Sequence, residues 1–182
     1  MLADDILSGV RILQTRAEIN SSRIGLWCFS QGGWVVPIAA AKGKNEIAFT
    51  MIGSGPAVSL GEELLYSKLS GENNCERSNL SDEEIEQQLD EAGASEFDPK
   101  PYLEEMTVPG LWIYGDKDIS IPIDRSLKIL ETLKQEKNKD WTLVVFPNSN
   151  HAFIINGGPC DTEGTVYNWV PSAFNWLMPK LN

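Results

Sequence analysis

The chain of 182 residues predicts an α/β fold, a three-layer arrangement of a parallel sheet with helices on both faces. Three observations lead to it. Compact apolar runs of strand length show no polar alternation, as strands covered on both faces require. Segments of helical periodicity separate these runs. The runs also stop at polar or glycine-containing turns, where reactive residues collect in sheets of this kind.

The elements follow in order. Asp4 and Asp5 suit a helix start, and Ile6, Val10, Leu13 and Ala17 recur at helical spacing until the turn cluster Asn20-Ser21-Ser22. Ile24 to Phe29 reads as a buried strand, and Gln31 to Lys44 turns helical through Val35, Val36, Ile38, Ala39 and Ala40. Ile47 to Ile52 is a second strand, closed by Gly53-Ser54-Gly55-Pro56. Over residues 59–105 the alternation lapses. Gly71-Glu72-Asn73-Asn74 is loop-like, and Ser81-Asp82-Glu83-Glu84 is a capping box opening a helix from Asp82 to Ala92, with Ile85 and Leu89 as a thin apolar stripe. The segment reads as a surface insertion in a single domain spanning residues 1–182. A strand from Leu111 to Tyr114, a helix from Pro122 to Lys134, a strand from Thr142 to Phe146 and an amphipathic helix from Val166 to Leu181 complete the chain. Trp27, Trp112 and Tyr114 are expected as buried strand residues.

Composition narrows the function. A net charge of −11 argues against nucleic acid or an anionic membrane as a partner. The longest apolar stretch, Trp34 to Ala41, is interrupted by Pro37 and too short to span a bilayer. Asp4 and Asp5 stand where an export signal carries basic residues, so the cytoplasm is the default location. Cys28, Cys75 and Cys160 are odd in number, widely spaced and without a C-x-x-C pair, which suggests neither a disulfide framework nor a zinc site. No metal cluster or phosphate-binding glycine loop is visible, so no cofactor is expected.

Three strand ends carry residue types suited to acyl transfer. The first ends at Ser30 within Cys28-Phe29-Ser30-Gln31-Gly32, close to the G-x-S-x-G turn that exposes a serine hydroxyl between a strand and a helix, with Cys28 where glycine is usual. The plainer alternative is a serine capping the next helix. His151, the only histidine, follows the last strand through Phe146-Pro147-Asn148-Ser149-Asn150, and its side chain titrates where a serine needs a base. Gly115-Asp116-Lys117-Asp118 follows the third strand; Asp118 is preferred as the orienting acid, with Asp116 and Asp124 as alternatives. The order Ser, Asp, His is that of the nucleophile-elbow hydrolases.

Those residues, with Arg23 to Trp34, Gly53 to Ala57 and Val108-Pro109, resemble the C-terminal part of an α/β-hydrolase of the dienelactone hydrolase and prolyl-oligopeptidase-like group. The resemblance implies Ser30 as nucleophile, His151 as general base, Asp118 as acid and the Gln31 N–H as an oxyanion donor, with Trp34 and Phe153 lining an acyl pocket. It implies a small-molecule carboxylic ester as substrate and a short cap in residues 59–105. The family's opening strands have no counterpart before Met1, so the Ile24 to Phe29 strand is expected as an open edge, pairing with a second copy or with a missing segment. A degenerate hydrolase half serving mainly as an association domain is the alternative reading, and within the enzyme reading thioesterase and peptidase activity stay open because nothing in the residues fixes the leaving group.

Overall fold

The computed structural model describes residues 2–181. Among these, four strands form one parallel sheet in the order β1 (Leu26–Phe29), β2 (Thr50–Gly53), β3 (Gly110–Gly115) and β4 (Trp141–Phe146). Helix α1 (Leu2–Gln14) precedes the sheet, α2 (Gly32–Lys42) connects β1 to β2, and α6 (Ile123–Glu136) connects β3 to β4. Three helices lie between β2 and β3: α3 (Leu60–Ser70), α4 (Asp82–Ala92) and α5 (Lys100–Glu105). Helix α7 (Val170–Leu177) closes the chain.

Alternation along each strand sorts side chains into two layers. Trp112 and Tyr114 of β3, Ile52 of β2 and Trp141 of β4 face the main core with Val36, Ala39 and Ala40 of α2, Leu130 and Leu133 of α6, and Ala3 and Leu7 of α1. Leu111, Ile113 and Phe146 face the opposite side, against Phe153 and Ala173 of α7. Trp112 and Tyr114 are thus buried as expected, but Trp27 is 43% exposed and Phe29 38%. The physical reason is position. β1 is the edge of the sheet, and on this face Trp27 stacks on Trp169, with ring centroids 4.7 Å apart.

The segment between β2 and β3 holds three helices where the apolar pattern marks one. Helices α3 and α4 make a small cluster of their own around Tyr66, Ile85 and Leu89. Leu103 of α5 and Met106 belong instead to the main core. Arg125 of α6 ties α3 and α4 to the sheet's helices, reaching Glu62 at 3.0 Å, Glu86 at 3.0 Å and Asp90 at 2.7 Å. The expected terminal helix is shorter, because Val166 is drawn into an extended bridge with Ile154 and Pro171 starts the helix later.

One expectation is overturned. Cys75 and Cys160, separated by 85 residues, form a disulfide, with Cα atoms 5.3 Å apart. Spacing in the chain carries no sign of it because the pairing depends on how the segment between β2 and β3 meets the loop after β4. Cys28 remains free, and burial pushes its thiol up to about 12, so it is a packing group rather than a nucleophile. Among the described residues no helix is long and apolar enough to cross a membrane.

Candidate active site

Because all four strands are parallel, their carboxyl ends share one rim, and Ser30, Ser54, Asp116 and the loop to His151 all emerge there. Ser30 sits at φ 51°, in the left-handed region that side chains other than glycine rarely adopt. Two backbone hydrogen bonds hold it so: its N–H donates to Gly53 O at 2.9 Å, and its carbonyl accepts from Gly33 N–H at 2.8 Å. Gly32 explains how the turn tolerates Cys28, since a Cβ at Gly32 would lie 2.6 Å from the Cys28 Cβ. One of the two positions must lack a side chain, and here it is Gly32.

The imidazole of His151 lies between two partners. Its Nε2 is 3.0 Å from Ser30 Oγ and its Nδ1 is 2.7 Å from Asp118 Oδ2. The other carboxylate oxygen, Oδ1, accepts from the backbone N–H groups of Ser120 at 2.7 Å and Ile121 at 3.1 Å. The Asp118 side chain is fully buried, and both of its oxygens accept hydrogen bonds. Asp116 does something else. Its Oδ1 accepts from Ser149 N–H at 3.3 Å and steadies the loop before His151. Asp124 lies in the first turn of α6. The acid on the imidazole is therefore Asp118.

Electrostatics at the imidazole pull in two directions. Burial disfavours the charged ring, but the hydrogen bond and charge of Asp118, with Glu72 and Glu63 further out, outweigh it and raise the His151 pKa above its ordinary value. Glu63 of α3 is pushed up to about 7, first by burial and then by the negative charge of Glu72. Its folded pKa lies above the unfolded value of 4.5, so the folded state binds the extra proton and stability falls as pH rises from about 4.5 to 7. Glu63→Gln is expected to leave the melting temperature unchanged near pH 4 and to raise it at pH 8. The gain corresponds to about 1 kcal/mol once solvent screening of this half-buried group is allowed for. Equal melting curves for both proteins at pH 8 would contradict this.

Of the other candidate residues, Gln31 follows Ser30 directly at the start of α2, where its N–H stands at the positive end of the helix. Trp34 and Phe153 are not open pocket walls. The Trp34 indole is buried and donates to Val58 O at 3.0 Å. Phe153 is buried edge-on against Phe29 and Phe146, with centroids 5.6 and 5.8 Å away.

Several supporting residues escaped sequence reasoning. Ser54, buried and at φ 44°, donates from Oγ to the His151 carbonyl at 2.8 Å. Gly115 lets the His151 loop approach β3, since a Cβ there would lie 2.5 Å from the carbonyl oxygens of Ser149 and Asn150. On α3, Tyr66, Ser67 and Ser70 donate to the carbonyls of Asp118, Ser120 and Ile119 at 3.3, 3.0 and 2.5 Å.

Solved structures show the same fold. Porphyromonas gingivalis dipeptidyl peptidase 4 superposes with a TM-score of 0.65 at 13% identity, over 98% of this chain and 22% of its own. A Pyrococcus furiosus esterase gives 0.63 at 17% identity, over 98% and 61%. Pyrococcus horikoshii acylaminoacyl peptidase gives 0.59 at 22% identity, over 86% and 24%. The chain thus spans less than two thirds of each of these proteins, and the architecture it shares with them is the α/β-hydrolase fold. No curated protein sequence matches it significantly. The model of the prolyl oligopeptidase family matches residues 2–176, nearly the whole chain, and the protein belongs to that family.

Proposed function

We propose that the protein is a serine hydrolase that cleaves carboxylic esters through an acyl-enzyme. The observation that carries this reading is the unbroken hydrogen-bonded line from Ser30 Oγ through both nitrogens of His151 to Asp118. Asp118 accepts a hydrogen bond from the Nδ1–H, which keeps the proton on Nδ1 and leaves the Nε2 lone pair facing the serine. Ser30 Oγ attacks the ester carbonyl carbon while Nε2 takes the hydroxyl proton. The oxyanion accepts a hydrogen bond from Gln31 N–H. Collapse breaks the carbon–oxygen bond of the leaving alcohol, which receives the proton from Nε2. Water then attacks the acyl carbon, Nε2 takes its proton, and the acid departs as that proton returns to Ser30 Oγ. No metal or cofactor is required at any step.

Membership of a peptidase family favours a second reading, amide cleavage by the same groups. A panel of p-nitrophenyl esters of increasing acyl length, each paired with the matching p-nitroanilide, separates the two. The ester reading predicts turnover of esters with little of the anilides. Comparable kcat/KM on both would move the assignment to a peptidase. Ester turnover is expected to rise with pH, with its midpoint above the ordinary histidine value of about 6.5 because the imidazole pKa is raised.

A further inference from the structure

We infer that helix α3 with the Cys75–Cys160 disulfide is a clamp that seats Asp118 and His151 together, so that reducing the bridge disables the site while leaving the sheet folded. The inference rests on the acyl-transfer reading of Ser30, His151 and Asp118.

The two halves of the clamp act on different loops. On the acid side, Ser67 and Ser70 of α3 donate to the backbone carbonyls of Ser120 and Ile119, and Tyr66 to that of Asp118. Glu72, two residues past the helix, accepts from Ser120 Oγ at 2.5 Å. The Ser120 N–H itself holds Asp118 Oδ1, so this segment grips the residue that orients the acid. These are buried polar contacts on a helix whose Leu65 and Leu69 pack with Ile85 and Leu89 of α4, which marks its polar side as a partner for this loop.

On the base side the connection is covalent. Cys75 lies five residues beyond the end of α3, and Cys160 lies in the turn nine residues after His151. That turn is tied to the neighbour of His151: buried Asn150 donates from Nδ2 to Gly158 O at 2.7 Å and Asp161 O at 3.0 Å, and its Oδ1 accepts from the N–H groups of Ala152 and Ile154. A mechanical path therefore runs from the segment between β2 and β3 through the sulfur bridge and Asn150 to the imidazole. Without the bridge, the two loops are joined at the site by the His151–Asp118 contact and by two bonds to Ser149, from Lys117 N–H to its carbonyl and from its own N–H to Asp116, all before the turn that carries Cys160. Displacements near 1 Å at a reacting group cost about a hundredfold in rate.

Reduction by a dithiol breaks the sulfur–sulfur bond. The reductant supplies two electrons and two protons, Cys75 and Cys160 become thiols, and the dithiol becomes a cyclic disulfide. The charged groups facing His151 are Asp118 from the loop after β3, Glu63 from α3 and Glu72 from the turn beyond it. Moving the imidazole away from all three returns its titration towards the ordinary value.

The test compares the rate at which a fluorophosphonate labels oxidised protein, dithiothreitol-reduced protein and the Cys75→Ser/Cys160→Ser variant across pH 5–9, about the range of histidine titration. Hydrogen exchange is followed in parallel. Reduction is expected to slow labelling by about ten- to a hundredfold and to move the pH midpoint downwards. Reoxidation with oxidised glutathione should restore both, and the variant should be slow and insensitive to dithiol. Exchange should quicken in residues 70–78 and 149–161 alone. Labelling rates within twofold of one another would overturn the proposal, as would loss of protection across β1 to β4, which would make the bridge a general staple. Ser30→Ala in the oxidised state tells the two claims apart: undiminished labelling there refutes the acyl-transfer reading itself, whereas Ser30-dependent labelling indifferent to reduction refutes only the clamp.

Discussion

Ser30→Ala is expected to lower kcat/KM on an activated ester by a factor of about 10⁴ to 10⁶, and His151→Ala by a similar factor. The effects should not add. Removing the hydroxyl leaves the base with nothing to deprotonate, and removing the imidazole leaves a hydroxyl too weakly acidic to attack. The double variant should therefore be no slower than either single one. Both side chains are only half-buried at the rim, so near-UV circular dichroism should be unchanged. A Ser30→Ala protein keeping more than about a hundredth of wild-type activity would contradict the assignment.

Asp118→Asn is expected to cost about 10³ to 10⁴ in kcat, although the substitution preserves shape. The reason lies in its two backbone donors. The N–H groups of Ser120 and Ile121 require an oxygen at the Oδ1 position, so an asparagine must turn its NH₂ group towards His151 Nδ1. Nδ1 then has to accept, the ring proton moves to Nε2, and Nε2 can no longer take a proton from Ser30. Asp116→Asn leaves an oxygen to accept from Ser149 N–H and should change kcat less than about tenfold. A larger loss from Asp116→Asn than from Asp118→Asn would reverse the assignment of the acid.

Some of this was legible in the residues and some was not. The alternation of buried strands and helices announces a parallel sheet because its strands are covered on both sides, and that in turn names the rim on which polar residues at strand ends must meet. Trp27 misleads because the Ile24 to Phe29 run is as apolar as a central strand even though it is expected at an open edge, and nothing in the run itself says how little would cover that face. Helix α3 was missed even though Ser59 and Glu62 form the same capping box as Ser81 and Glu84. Its inner face carries Tyr66, Ser67 and Ser70, which bind a loop, so no apolar stripe announces it. The support for His151 leaves no local trace either. Ser54 lies 97 residues from it in the chain, and the two sulfurs of the bridge belong to residues 85 apart. Such contacts are products of the tertiary fold, invisible to any window along the chain.

The most direct test of the central claim is to map the adduct formed when a fluorophosphonate reacts with wild-type and His151→Ala protein, by mass spectrometry of the digested peptides. The prediction is a single adduct on Ser30 in the wild type, forming faster as pH rises through the raised His151 titration, and none on the same timescale in His151→Ala. An adduct on any other residue, or equal labelling of Ser30 in both proteins, would contradict the account.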